Sequence, residues 1–138
     1  MENTEKIVFL YDEKSIPDQI IEAAKAQTPS GFELVLCESK MVEEERRVQV
    51  AQADYFMLYT VGFEDIDIAK KAKLMQILSA GYDRLNVLEL AEAGIPLATN
   101  GGANAPTVAE HTLLLILSLY RKLPLHHAAL KSGKWLGH

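Results

Sequence analysis

Two short stretches hold the residues best suited to chemistry: "LSAGYD", residues 78–83, and "NGGANAPTVAEH", residues 100–111. In the first, Ser79 offers a hydroxyl, and Gly81 lets backbone N–H groups face a small anion without a Cβ in the way. The same residues also suit an ordinary strand-to-helix turn with Asp83 capping the next helix. In the second, Gly101, Gly102 and Asn104 precede a helix, whose free amides and dipole favour a carboxylate or phosphate. Thr107 to Glu110 matches a capping box, and Asn104 and Pro106 suit a helix start. Helix initiation therefore explains part of the stretch, and the paired glycines with Asn104 are left over for a ligand.

These stretches need a scaffold, and the bulk numbers allow one. The chain has 138 residues, 49% hydrophobic and 24% charged, enough for one globular core and too few for two. Net charge is -5 and the 14 basic residues are scattered, so no basic stripe points to nucleic acid or an anionic membrane. The single cysteine, Cys37, reads as a small buried thiol. The opening "MENTEKIVFL" lacks the pattern of a secretory leader, which makes the cytoplasm the expected compartment.

Periodicity supplies the elements. Strands are expected near 6–11, 32–37, 55–60, 74–79 and 96–99, alternating with helical stretches. The first, "SIPDQIIEAAKAQT", has Ser15 or Asp18 as a cap. Next come "MVEEERRVQVAQA", "EDIDIAKKA", and "DRLNVLELAEAG", which ends at Gly94. Strands apolar on both faces, alternating with amphipathic helices, give a doubly wound α/β fold around a parallel sheet. The run "EEERR" reads as a solvated helix face, and Lys70, Lys71 and Lys73 as cations complementing a short helix's dipole. The last apolar stretch, "TVAEHTLLLILSLYRKL", surrounds its helix rather than forming a stripe, so it needs cover on all sides.

Ligands of open parallel sheets sit beyond the carboxyl ends of the strands, here "YDEK", "CESK", "YTVG", "SAGYD" and "NGGAN". Asp12 and Glu13 could begin an acidic phosphoacceptor site, but the third strand ends in Tyr59 and Thr60 with no carboxylate. The loop "YDEKSIP" is not a flavin phosphate loop.

From about Leu74 to Trp135 the sequence closely resembles the amino-terminal part of the D-isomer-specific 2-hydroxyacid dehydrogenases. The resemblance is carried by "LMQILSAGYDRLNVLELAEAGIPLATNGGANAPTVAEHTLLLILSLYRKLP" and the following "ALKSGKW". It implies a flavodoxin-like substrate domain over 1–100 with a five-stranded parallel sheet, and bridging helices over 101–138 leading to a separate nucleotide-binding domain. It further implies that Ser79, Ala80 and Gly81 hold the carboxylate of a small 2-hydroxy or 2-keto acid. Asn104 matches a small-acid contact of formate dehydrogenase, and Thr107 is a candidate for contact with the nicotinamide. Glu110 and His111 match the family's "VAEH" and read as structural. The family's dimer contact implies a homo-oligomer through residues 105–125.

The resemblance also marks what these residues do not supply. The family's histidine acid/base, its glutamate partner and its substrate arginine fall beyond residue 138, as does the GxGxxG turn for NAD or NADP. His111, His126 and His127 do not match the catalytic position. The expectation is therefore the substrate-binding part of an NAD(P)-dependent 2-hydroxyacid oxidoreductase, inactive and without bound cofactor by itself. The alternative is a stand-alone, non-catalytic small-acid-binding or interaction protein of the same fold.

Overall fold

The computed structural model describes residues 4–137. The chain divides into two compact units, Met1–Gly101 and Gly102–His138.

The first unit is an α/β sandwich built on five strands: β1 (Glu5–Tyr11), β2 (Phe32–Glu38), β3 (Tyr55–Tyr59), β4 (Leu74–Ile77) and β5 (Leu97–Ala98). They lie in the order β2-β1-β3-β4-β5, and every pairing is parallel. This is the flavodoxin-like order, with its topological switch between β1 and β3. β1 sits between β2 and β3, which is why Val8, Phe9, Leu10 and Tyr11 are buried in succession on both faces. The expected strands are all present, and only their ends move by a residue or two.

The connections are α1 (Asp18–Gln27), α2 (Glu43–Gln52), a single 3-10 turn at Asp65–Asp67, and α3 (Val87–Glu92). One face of the sheet contributes Val8, Leu10, Cys37, Phe56, Leu58 and Met75 to a core that Val50 of α2 and Leu90 of α3 complete. Phe56 meets Phe63 with ring centroids 4.9 Å apart, a tilted aromatic pair within that core. Cys37 is fully buried and free, as the sequence suggested. The other face is thinner. No residue of α1 is fully buried, and an apolar cavity of about 450 Å³ lies among Ile7, Ile20, Ala23, Ala24 and Met57.

Several local expectations are corrected. Neither Ser15 nor Asp18 caps α1, whose N-cap is Pro17. The stretch "EDIDIAKKA" forms only a 3-10 turn, Asp65–Asp67, with Ile66 and Ala69 both buried. The "EEERR" run is not merely a solvated face. Arg46 and Arg47 reach across to Asp65, and Arg47 also holds Asp67 at 2.9 Å. Lys73 closes no helix dipole. It pairs with Glu5 and, at 3.3 Å, with Asp54, whose carboxylate also accepts the Lys6 amide at 3.0 Å.

The second unit is a pair of helices, α4 (Ala105–Tyr120) and α5 (Leu123–Lys131). Pro106 lies in the first turn of α4 and Asn104 is its N-cap, though the Asn104 side chain makes no capping bond. The capping box assigned to Thr107 is therefore misplaced: the helix begins at Ala105, so Thr107 is already inside it. Leu113, Leu114, Leu115, Ile116 and Leu117 are all exposed. Five successive residues cover the whole circumference of a helix, so α4 is apolar all round.

Candidate functional site

The carboxyl end of β4 runs into Leu78–Ser79–Ala80–Gly81 and then into a loop that ends at Asn86. Asn86, not Asp83, caps α3, accepting the Glu89 amide on its side chain. Helix capping thus leaves Asp83 free of the structural role that would have explained it. At the far end of α3, Gly94 adopts φ +71° and the Ile95 amide returns to Leu90, a helix stop that sends the chain into β5.

Within the turn, the Ser79 hydroxyl donates to the Gly81 carbonyl at 3.0 Å, and the Ser79 carbonyl accepts the Asn100 amide at 3.0 Å. The turn is therefore pinned from two sides. Among the described residues, the backbone N–H groups of Ser79, Ala80, Gly81 and Tyr82 donate to no protein atom. Ala80 and Gly81 are exposed, so these donors face solvent.

Gly81 has no unusual φ, and a Cβ there would meet only Asp83 Oδ2, at 3.2 Å. Neither backbone conformation nor core packing demands glycine at this position. Gly102 differs, since its φ of +88° is a conformation that favours glycine.

A cavity of about 240 Å³ adjoins the turn, lined by Ser79, Gly81, Tyr82, Asp83 and Arg84 together with Thr60, Val61, Ile77 and Leu85. Its rim carries one cation, Arg84, and one carboxylate, Asp83. Arg84 donates to the Thr60 carbonyl. Thr60 itself has φ +56° and lines both this cavity and a larger one. Nothing in the sequence marked Thr60 or Arg84 as site residues, since a left-handed threonine and a hydrogen bond spanning 24 positions leave no local pattern.

The larger cavity, about 470 Å³, lies beyond the carboxyl ends of β1, β2 and β3. Several of its polar groups are paired with one another. Glu13 pairs with Lys40 and accepts the Ser39 hydroxyl at 2.8 Å, and Tyr11 donates to Glu38 at 3.3 Å. The hydrogen bonds from Lys40 and then Ser39 hold the Glu13 carboxyl down at about 2. Burial first, and then Glu38, pushes the Tyr11 phenol up. Burial pushes the Cys37 thiol up as well, which disfavours a reactive thiolate.

Of the residues assigned from sequence, Ser79, Ala80 and Gly81 form one turn in the first unit. Asn104 and Thr107 lie at the start of α4 in the second, both exposed. No cluster of three metal-binding side chains occurs among the described residues, and none of their helices is long and apolar enough to cross a membrane.

Comparison with known proteins decides the family. The profile described as D-isomer specific 2-hydroxyacid dehydrogenase, catalytic domain, matches residues 8–133. The chain belongs to this family. It is 32% identical over 75 residues to a D-3-phosphoglycerate dehydrogenase of Archaeoglobus fulgidus, a match covering 54% of this chain and 14% of that protein. Its fold matches the 2-hydroxyacid dehydrogenase of Ketogulonicigenium vulgare with a TM-score of 0.74 at 16% identity, over 100% of this chain and 43% of that one. It also matches the NAD-dependent formate dehydrogenase of Staphylococcus aureus, solved in complex with NAD, with a TM-score of 0.66 at 22% identity, over 95% and 43%. This member of the 2-hydroxyacid dehydrogenase family thus spans about two fifths of the solved chains it matches.

A dinucleotide needs a glycine-rich turn between a strand and a helix to receive its pyrophosphate. None of the strand ends "YDEKSIP", "CESK", "YTVG", "SAGYD" and "NGGAN" carries the GxGxxG pattern of that turn, and "NGGAN" has only its paired glycines.

Proposed function

We propose that this chain supplies the small-acid-binding part of an NAD(P)-dependent 2-hydroxyacid dehydrogenase. The supporting observation is the Ser79–Gly81 turn: a set of unpaired backbone donors at the carboxyl end of a parallel strand, kept open by a glycine that the fold does not otherwise require. In this reading the Ala80 and Gly81 amides bind the carboxylate of a 2-hydroxy or 2-keto acid, and Ser79 keeps the turn in shape. Asn104 contributes a polar contact to the acid, and Thr107 is the candidate neighbour of the nicotinamide in the complete enzyme. Both are carried over from the family pattern.

The reaction proposed for the complete enzyme is hydride transfer between NAD(H) or NADP(H) and the acid. No catalytic group is assigned within residues 1–138. Association into a homo-oligomer through residues 105–125 belongs to the same reading and is supported by the exposed apolar circumference of α4.

The test is a titration of ¹⁵N-labelled chain with glyoxylate. The Ala80 and Gly81 amides should shift together and saturate, and Gly81→Val should abolish the response. Unshifted amides at glyoxylate concentrations well into the millimolar range would remove the assignment.

A further inference from the structure

Thr60, the residue after β3, has φ +56°, a left-handed conformation that a side chain branched at Cβ rarely adopts. Such a conformation persists only where the surroundings impose it. Two other loops do so. The Thr60 hydroxyl meets Ser15 Oγ, from the loop after β1, at 2.5 Å, and the Thr60 carbonyl accepts a hydrogen bond from the Arg84 guanidinium, from the loop after β4. The ends of three strands are thus tied at one residue.

Arg84 follows Gly81 by three positions and lines the same cavity. Among the described residues no carboxylate pairs with its guanidinium, so its contact with the chain here is the Thr60 carbonyl. The loop from Ser79 to Arg84 leaves the sheet at Ile77 and has no helix of its own until Val87. Beyond Arg84 the chain is next held at Leu85, which packs against the core. The Arg84 tie adds a hydrogen bond on this far side of the turn, opposite its β4 end and its bond to Asn100.

We propose that Arg84 is a positioning residue for the small-acid site, fixing the Ser79–Gly81 turn with its amides presented by holding the Thr60 carbonyl. The role rests on the reading of that turn as a carboxylate site. It uses the reach of an arginine side chain, since the acceptor is a backbone oxygen in another loop.

The test uses the ¹⁵N-labelled full chain as wild type, Arg84→Ala, Arg84→Lys and Thr60→Gly, with two readouts: backbone order parameters at Ala80 and Gly81, and the glyoxylate dissociation constant from their amide shifts. In Arg84→Ala the order parameters should fall from about 0.85 to below about 0.6 while those of Val8 and Leu58 stay unchanged. Glyoxylate should bind about fivefold more weakly, the loss of one charge-assisted tie at an exposed site. Thr60→Gly keeps the acceptor carbonyl and suits the backbone, so the order parameters at Ala80 and Gly81 should stay near wild type; a fall there would mean that the Thr60 side chain, not the Arg84 tie, fixes the turn, and overturns the proposal. Unchanged order in Arg84→Ala overturns the proposal, as does lost order with unchanged affinity. Affinity restored by Arg84→Lys without restored order would show that Arg84 acts through charge, which also overturns it. If glyoxylate leaves the wild-type amides unshifted, the carboxylate assignment itself falls and takes the positioning role with it. The order parameters then separate that failure from a failure of the tie.

Discussion

Arg46 Nε donates to the Asp65 carboxylate at 2.8 Å, joining α2 to the 3-10 turn, and the Asp65 side chain is only 5% exposed. Arg47 takes the other oxygen, also at 2.8 Å. Asp65→Asn leaves two guanidinium groups without their shared anion. Both arginines retain partial contact with water, so the cost should be about 2 kcal/mol rather than that of a fully buried pair. Urea unfolding with an unchanged slope would measure it, and a loss below about 0.5 kcal/mol would mean that water replaces the pair without penalty.

Acid should weaken the larger cavity beyond β1, β2 and β3, which Asp65 and Glu13 both line. The Glu13 carboxyl is lowered from 4.5 to about 2, first by the Lys40 hydrogen bond and then by Ser39. A depressed carboxyl favours the fold above its unfolded value and ceases to as pH drops through the folded value, so this contribution fades between about pH 4.5 and 2. Asp54, lowered first by the Lys6 amide, adds in the same direction. Melting temperatures of wild type and Glu13→Gln should converge as pH falls through this window. A constant gap between them would contradict the assignment.

Gly81→Ala separates ligand access from folding. The added Cβ meets only the movable Asp83 carboxylate, so stability should change by no more than about 0.5 kcal/mol. Glyoxylate shifts at Ala80 should nevertheless be lost, because the methyl group occupies the approach. Binding that survives the substitution would place the carboxylate elsewhere.

Association should run through α4. Leu114 and Leu117, 54% and 60% exposed, lie on one stripe of a helix whose other sides are also apolar. Sedimentation of wild type should give a dimer or larger species, and Leu114→Glu with Leu117→Glu should dissociate it. A wild-type monomer at high concentration would rule this out.

Residues 1–138 alone should not turn over substrate. Hydride transfer needs a nicotinamide held against the acid and a proton donor within hydrogen-bond reach, and these residues offer no pyrophosphate turn. Mixing the purified chain with NADH or NADPH and glyoxylate or hydroxypyruvate should leave the absorbance at its baseline. Turnover that persists after host enzymes are excluded would mean that groups read as structural are catalytic.

The sheet was legible in the sequence because burial on both faces writes long apolar runs, as in "KIVFLY", and because the helices between them keep a polar side. The Ser79–Gly81 turn was marked as a candidate site only by the family resemblance, because its residues suit an ordinary strand-to-helix turn equally well. What could not be read were pairings between distant positions. Arg46 with Asp65 and Arg84 with Thr60 are 19 and 24 residues apart and follow no periodicity. Helix starts were misjudged at Ser15 and Thr107: α1 begins after Pro17 and α4 carries Pro106 in its first turn, and neither start uses a side-chain cap. "EDIDIAKKA" misled because burial three residues apart looks the same in both kinds of helix until its length is known.

The strand order has a consequence for how the chain is made. After β1 and β2 have paired, β3 joins the free side of β1, β4 joins β3, and β5 joins β4. No strand has to be inserted between two others already in place. A chain emerging from the ribosome amino terminus first can therefore extend its sheet in one direction, each new strand finding its neighbour already waiting. The growing edge is closed last by a strand of two residues, Leu97–Ala98, too short to offer a foreign strand much to pair with.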